Sequence, residues 1–92
     1  MTLCKVILPA SLQAKVSHQE NIQINGDSIK DILNILVEKY PEIKIDIYDV
    51  NGDLRRFLNV FVDGDNIRDI DGLDTVPRIN ASITLLSAVA GG

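Results

Sequence analysis

The sequence predicts an α+β domain in which one main helix covers a mixed sheet of four or five strands. Three observations predict it. Residues 27–41 carry apolar side chains at helical spacing between a capping signal and a proline. Short runs rich in β-formers lie on both sides of that stretch, at 3–8, 57–62 and 82–86. With 92 residues, the chain can enclose a single core, since a domain of this size buries only ~60–65% of its unfolded surface. A lone helix must then bury its stripe against a sheet.

Taken in order, Leu3-Cys4-Lys5-Val6-Ile7-Leu8 is mostly apolar and is ended by Pro9. Apolar residues on both faces suit a central strand. Residues 16–24 alternate loosely, with Ile22 and Ile24 on one face, and suit a second strand. Asn25-Gly26-Asp27 supplies turn chemistry. Asp27 or Ser28 then caps a helix with its apolar stripe at Ile29, Ile32, Leu33, Leu36, Val37 and Tyr40, and Pro41 stops it. Lys30, Asp31, Asn34, Glu38 and Lys39 fall on the wet side.

Residues 42–56 admit two readings. Ile43, Ile45 and Ile47 alternate as in a strand, and Asn51-Gly52-Asp53 is a turn signal, so a hairpin fits; a short irregular helix fits as well. Residues 57–62 form a strand with Leu58, Val60 and Val62 on one face and Phe57, Asn59 and Phe61 on the other. Asp63-Gly64-Asp65 reverses the chain into a brief strand around Asn66-Ile67-Arg68. A loop over 69–81, containing Pro77, leads to the last strand, Ser82-Ile83-Thr84-Leu85-Leu86. The domain is thus expected over 1–86. Ser87-Ala88-Val89-Ala90-Gly91-Gly92 is small, uncharged and glycine-ended, and is expected to project as a mobile tail.

Composition narrows the function. The net charge is −4, and the nine Lys and Arg form no cluster longer than Arg55-Arg56. Nucleic-acid affinity comes mainly from neutralised phosphates, so no nucleic acid is expected as partner. An acidic surface suits docking onto a basic patch of an enzyme. One cysteine excludes an internal disulfide and a Cys-based zinc site. Met1-Thr2-Leu3-Cys4-Lys5 opens no basic-then-apolar leader, and no run approaches the ~20 apolar residues of a membrane span. No membrane partner and a cytoplasmic location are expected.

Side chains that invite a functional role mostly have a plainer one. Cys4 lies in an expected buried strand, where an inert thiol outweighs a redox role. His18 has no second His or Cys nearby, and Asp49, Asn51 and Asp53 fail the calcium-loop pattern because glycine falls at 52. Arg55 and Arg56 read as solvated charges. If the helix covers Leu58, Val60 and Val62, then Phe57 and Phe61 are exposed and form a partner patch; otherwise they are core. No base, nucleophile or metal cluster converges, so the chain is not expected to be an enzyme by itself.

The strand order together with the ending carries a family resemblance. Arg56-Phe57-Leu58-Asn59-Val60-Phe61-Val62, the following Asp63-Gly64-Asp65-Asn66-Ile67-Arg68, Gly72-Leu73-Asp74-Thr75 and the closing Ile83 through Gly92 resemble the ubiquitin-like β-grasp sulfur carriers of the ThiS/MoaD type. The ending Ala88-Val89-Ala90-Gly91-Gly92 is most similar to the CysO-like branch. The resemblance runs nearly end to end, with its specific part in the C-terminal third. It departs at Ser87, where many relatives have proline, and at Asn80-Ala81, where an acidic residue with glycine is frequent. Serine implies a looser tail with a larger ordering cost on docking.

The resemblance implies a chemistry. A C-terminal carboxyl group, which ordinarily titrates near pH ~3.5, is ionised at neutral pH and is a poor electrophile. The family likeness implies that an E1-like partner consumes ATP to adenylate Gly92, that sulfur transfer leaves a thiocarboxylate there, and that a synthase then takes the sulfur. That synthase is implied to be a pyridoxal-phosphate enzyme making cysteine or a related thiol. Gly91 and Gly92, lacking Cβ, suit a narrow channel. Leu86 falls where the family places an apolar contact to the activating enzyme, beside Ala88, Val89 and Ala90. No cofactor is expected on the chain. Three alternatives stay open: delivery to molybdopterin or a thiazole, conjugation of Gly92 to protein lysines, and a binding module with an incidental tail.

Overall fold

The computed structural model describes residues 2–87, and among them five strands form one mixed sheet. They are β1 (Thr2–Ile7), β2 (Asn21–Gly26), β3 (Leu58–Val62), β4 (Asp65–Asn66) and β5 (Ser82–Ser87), in the order β2-β1-β5-β3-β4. β1 runs antiparallel to β2 and parallel to β5, while β3 is antiparallel to β5 and β4. Helices α1 (Ala10–Gln13) and α3 (Lys44–Ile47) are single turns; α2 (Ile29–Lys39) is the main helix.

Alternation and the helical stripe meet in one aliphatic core. α2 buries Ile29, Ile32, Leu33 and Leu36, with Val37 and Tyr40 packed partly against the cluster. The sheet supplies Cys4, Val6, Ile22, Ile24, Val60, Ile83 and Leu85 to the same cluster. Ser28 caps α2, its Oγ accepting the Asp31 N–H at 3.2 Å, so serine rather than Asp27 holds the cap. β1 is interior, as expected, but β5 occupies the middle of the sheet. β1 is covered on one face only: Cys4 and Val6 are buried, whereas Lys5 is exposed.

Two local expectations are corrected and one open alternative is resolved. The second strand begins at Asn21, not at 16, because residues 10–16 form α1 and a 3-10 turn, Ala14–Val16. Leu12 and Val16, four residues apart, are both buried by that helical stretch, and Ser17 and His18 then reverse the chain at φ 57° and 60°. In residues 42–56 the helical alternative holds, as a 3-10 turn (Pro41–Ile43) and α3. Ile43 and Ile47 are buried at a spacing of four, while Ile45 between them is 66% exposed. The hairpin survives only as the isolated Tyr48–Leu54 bridge. The brief strand after the Gly64 turn stops at Asn66; Ile67–Asp69 is a 3-10 turn, because the Asn66 side chain accepts the Arg68 N–H and Ile67 turns into the core.

Gly26, expected in a turn, instead closes β2 opposite Thr2. A Cβ there would lie 2.6 Å from Ile32 Cγ1, so glycine sets how closely α2 approaches the sheet. Gly26→Ala is expected to lower unfolding free energy by about 1–3 kcal/mol through overpacking. Urea titration checks this; a midpoint equal to that of the parent would remove the steric argument.

Candidate functional site

β5 delivers the chain to residue 88. Its last two residues pair with the start of β3, Leu86 opposite Asn59 and Ser87 opposite Leu58. Ser87, assigned to the tail by the sequence, is therefore the end of a strand. The expectations at Ala88, Val89, Ala90, Gly91 and Gly92 lie outside the described residues.

Alternation places Leu85 and Leu86 on opposite faces. Leu85 is fully buried in the core cluster, and Leu86 is 47% exposed on the face away from it. On that open face Ile7, Thr84, Phe61 and Asn66 form one row across four strands, with Leu86 and Asn59 in the next. Leu58, Val60 and Val62 are buried in the cluster to which α2 contributes, which turns Phe61 onto the open face, half-buried. Phe57 lies one residue before β3 and is 57% exposed.

The structure therefore separates the expected docking residues. Leu86 and Phe61 share the open sheet face, one cross-strand row apart. Phe57 instead lines a cleft of about 320 Å³ with Arg55, Ile45, Asp46 and Ser87, directly beside the point where the chain leaves β5. An apolar rim and the departing strand are thus neighbours.

A polar brace holds this corner. Arg68 Nη1 donates to Asn59 Oδ1 at 2.9 Å, and its Nη2 donates to the Arg55 carbonyl at 2.9 Å. Arg55 Nε in turn donates to the Ile45 carbonyl. Arg55 is exposed, as a solvated charge is expected to be, and is also tied through its Nε to the wall of the cleft. No sequence signal marks the brace: its partners lie nine, thirteen and ten residues apart and meet only through the fold. Lys15 Nζ and Asp46 Oδ2 pair at 2.8 Å beside the same cleft.

Other chemically capable groups are closed off. Cys4 is 1% exposed, its Sγ 3.9 Å from the Arg78 carbonyl, and burial pushes its thiol above the ordinary value. A protonated, enclosed thiol is a poor nucleophile. Asp49 Oδ1 accepts the N–H groups of Asn51 and Asp53, so it shapes a turn. Among the described residues no group of three His, Cys, Asp or Glu could hold a metal ion, and no helix is long and apolar enough to cross a membrane.

Relatives match this architecture along nearly its whole length. The ThiS family model matches residues 6–92. The sulfur carrier protein CysO of Mycobacterium tuberculosis is 32% identical over 89 residues, spanning 95% of this chain and 96% of that protein. The solution structure of small archaeal modifier protein 1 from Methanosarcina acetivorans has a TM-score of 0.86 at 31% identity, covering 100% of this chain and 98% of that one. A chain of the Amycolatopsis orientalis BexX/CysO complex reaches a TM-score of 0.88 at 26% identity, covering 97% of this chain and 99% of that one. With its ubiquitin-like β-grasp fold and a family match extending to residue 92, this chain belongs to the ThiS family.

Proposed function

We propose that this protein is a sulfur carrier whose working group is the carboxyl of Gly92, and that it supplies sulfur for cysteine or a related thiol. The observations that carry the reading are the ThiS family match, which runs to residue 92, and the near full-length likeness to a protein named a sulfur carrier. The enclosure of Cys4 supports it, because the chain's one thiol offers no competing sulfur site.

The chemistry needs two partners. An E1-like enzyme lets the Gly92 carboxylate attack the α-phosphorus of ATP, releasing pyrophosphate and forming an acyl-adenylate. A sulfur donor then attacks the carbonyl carbon, AMP leaves, and Gly92 retains a thiocarboxylate. A sulfur-accepting synthase, by family resemblance dependent on pyridoxal phosphate, uses it as nucleophile. The chain is then a protein co-substrate with no cofactor of its own, and its need for ATP fits the cytoplasm. Delivery to molybdopterin or a thiazole would differ only in the acceptor.

Incubation with ATP, sulfide and the cognate activating enzyme is expected to exchange one oxygen for sulfur in the intact mass. An unchanged mass would overturn the proposal. A second reading, conjugation through Gly92 to lysines, is favoured by the likeness to small archaeal modifier protein 1. Covalent adducts on immunoblots of cell extract, absent for a chain lacking Gly92, would support it.

Leu86 and the Phe57 rim are proposed to meet the activating enzyme. Leu86→Ala should change stability by less than about 1 kcal/mol, since its side chain is exposed. It should weaken binding to that enzyme by about tenfold, the size expected for an apolar anchor. Thermal melts and calorimetric titration separate the two; equal affinity would exclude Leu86 from the interface.

A further inference from the structure

The two edges of the sheet are protected unequally. β4 is two residues long and carries Asp65. β2 is six residues, Asn-Ile-Gln-Ile-Asn-Gly, without charge or proline, and among the described residues no strand lies on its outer side. Proteins ordinarily guard an edge by shortness, charge or proline, because a bare edge pairs with other chains.

The register shows which backbone groups face outward. The Lys5 N–H donates to the Ala81 carbonyl, on the β5 side, whereas the Leu8 N–H donates to Glu20, on the β2 side. Successive residues of a strand point their N–H and C=O to opposite sides. Lys5 is opposite Gln23, Cys4 opposite Ile24 and Val6 opposite Ile22. Ile22 and Ile24 therefore bond inward to β1, and the N–H and C=O of Asn21, Gln23 and Asn25 face the open edge.

A cleft of about 220 Å³ runs between this strand and α2, lined by Asn25, Gly26, Asp27, Asp31, Asn34 and Ile35. Half-buried Ile35 gives it an apolar part, the exposed Asp31 gives it negative charge, and no cation lines it.

We propose that β2 is a docking edge at which an extended basic peptide of a partner protein adds as a sixth strand, its cation seated against Asp31 and its apolar side chains toward Ile35. Charge decides against a second copy as occupant: two β2 edges would bring both Asp31 side chains to one seam, on chains of net charge −4 each. β1 separates β2 from β5, so a partner held at this edge leaves Leu86 and Ser87 open. Such a tether raises the effective concentration of the chain's end near that partner without competing for it.

The test is a titration of ¹⁵N-labelled full-length protein with acetyl-Lys-Thr-Lys-Thr-Val-amide, which puts lysine and valine on one face of an extended strand, and with the same peptide carrying glutamate for lysine. The basic peptide is expected to shift the amides of Asn21, Gln23 and Asn25, and the acidic one to leave them in place. Asp31→Asn should weaken the basic peptide by about two- to fivefold, the size of one exposed charge pair. Gln23→Pro removes an outward N–H while sparing the bonds to β1 and should abolish the response. Should that variant unfold, Asn25→Lys serves instead, placing a cation at the mouth of the cleft. No edge shifts, equal response to both peptides, persistence in the blocking variant, or β2-mediated dimers insensitive to peptide would each overturn the proposal.

Discussion

Removing Gly92, or adding one residue beyond it, is expected to abolish sulfur loading while leaving the fold intact. The proposed reaction consumes one carboxyl group held at the α-phosphorus of ATP, and near-attack geometry requires reacting atoms about 3–3.5 Å apart. One residue spans at most about 3.3–3.6 Å of extended chain, so deletion withdraws the carboxylate by about the whole approach distance. Extension fails differently: Gly92 then carries an unreactive amide, and the new carboxylate lies beyond the catalytic position. A misplacement of about 1 Å alone can cost about a hundredfold, so loading should fall by at least that factor in both variants. Intact mass after incubation with ATP, sulfide and the activating enzyme reads the result directly. Thermal melts should be unchanged, because among the described residues the last member of the buried cluster is Leu85. Normal loading of either variant would show that the sulfur is carried elsewhere.

Leu85→Ala is expected to destabilise the domain by about 2–5 kcal/mol, the usual cost of a cavity in a closed core. Leu85 is fully buried, opposite the equally buried Val60, in the middle strand of the sheet. At about 0.05–0.15 kcal/mol per residue a chain of this length has only ~5–14 kcal/mol in total, so the loss removes a large part of its stability. Urea titration should show an earlier midpoint at a similar slope. A loss below about 1 kcal/mol would mean that the site collapses around the smaller side chain. Leu86→Ala, one residue on, is its control: adjacent residues of one strand, one serving the core and the other the surface.

That contrast marks how far the sequence can be read. The α2 stripe, the strand faces of β3 and β5 and the outward direction of Leu86 all follow from periodicity within a single element. Residues 16–20 mislead because Val16 extends the alternation of Ile22 and Ile24 backward, and the left-handed turn at Ser17 and His18 has no glycine to announce it. Ile43, Ile45 and Ile47 fit a period of two as well as four until the buried pair chooses. Gly26 reads as a turn residue, whereas its role is the close approach of Ile32.

By itself, the amino-acid sequence determined the α+β class, the main helix, the aliphatic character of the core and the family to which the ending points. These depend on local spacing and on residue chemistry, which survive without coordinates. Tertiary structure alone decided which face of β3 joins the core, and so which aromatic meets solvent. It also set the Arg68 brace at the corner where β5 ends and left β2 as the bare edge. Each of these depends on which elements become neighbours in space, and side chains far apart along the chain acquire a common environment only once packing has chosen their partners.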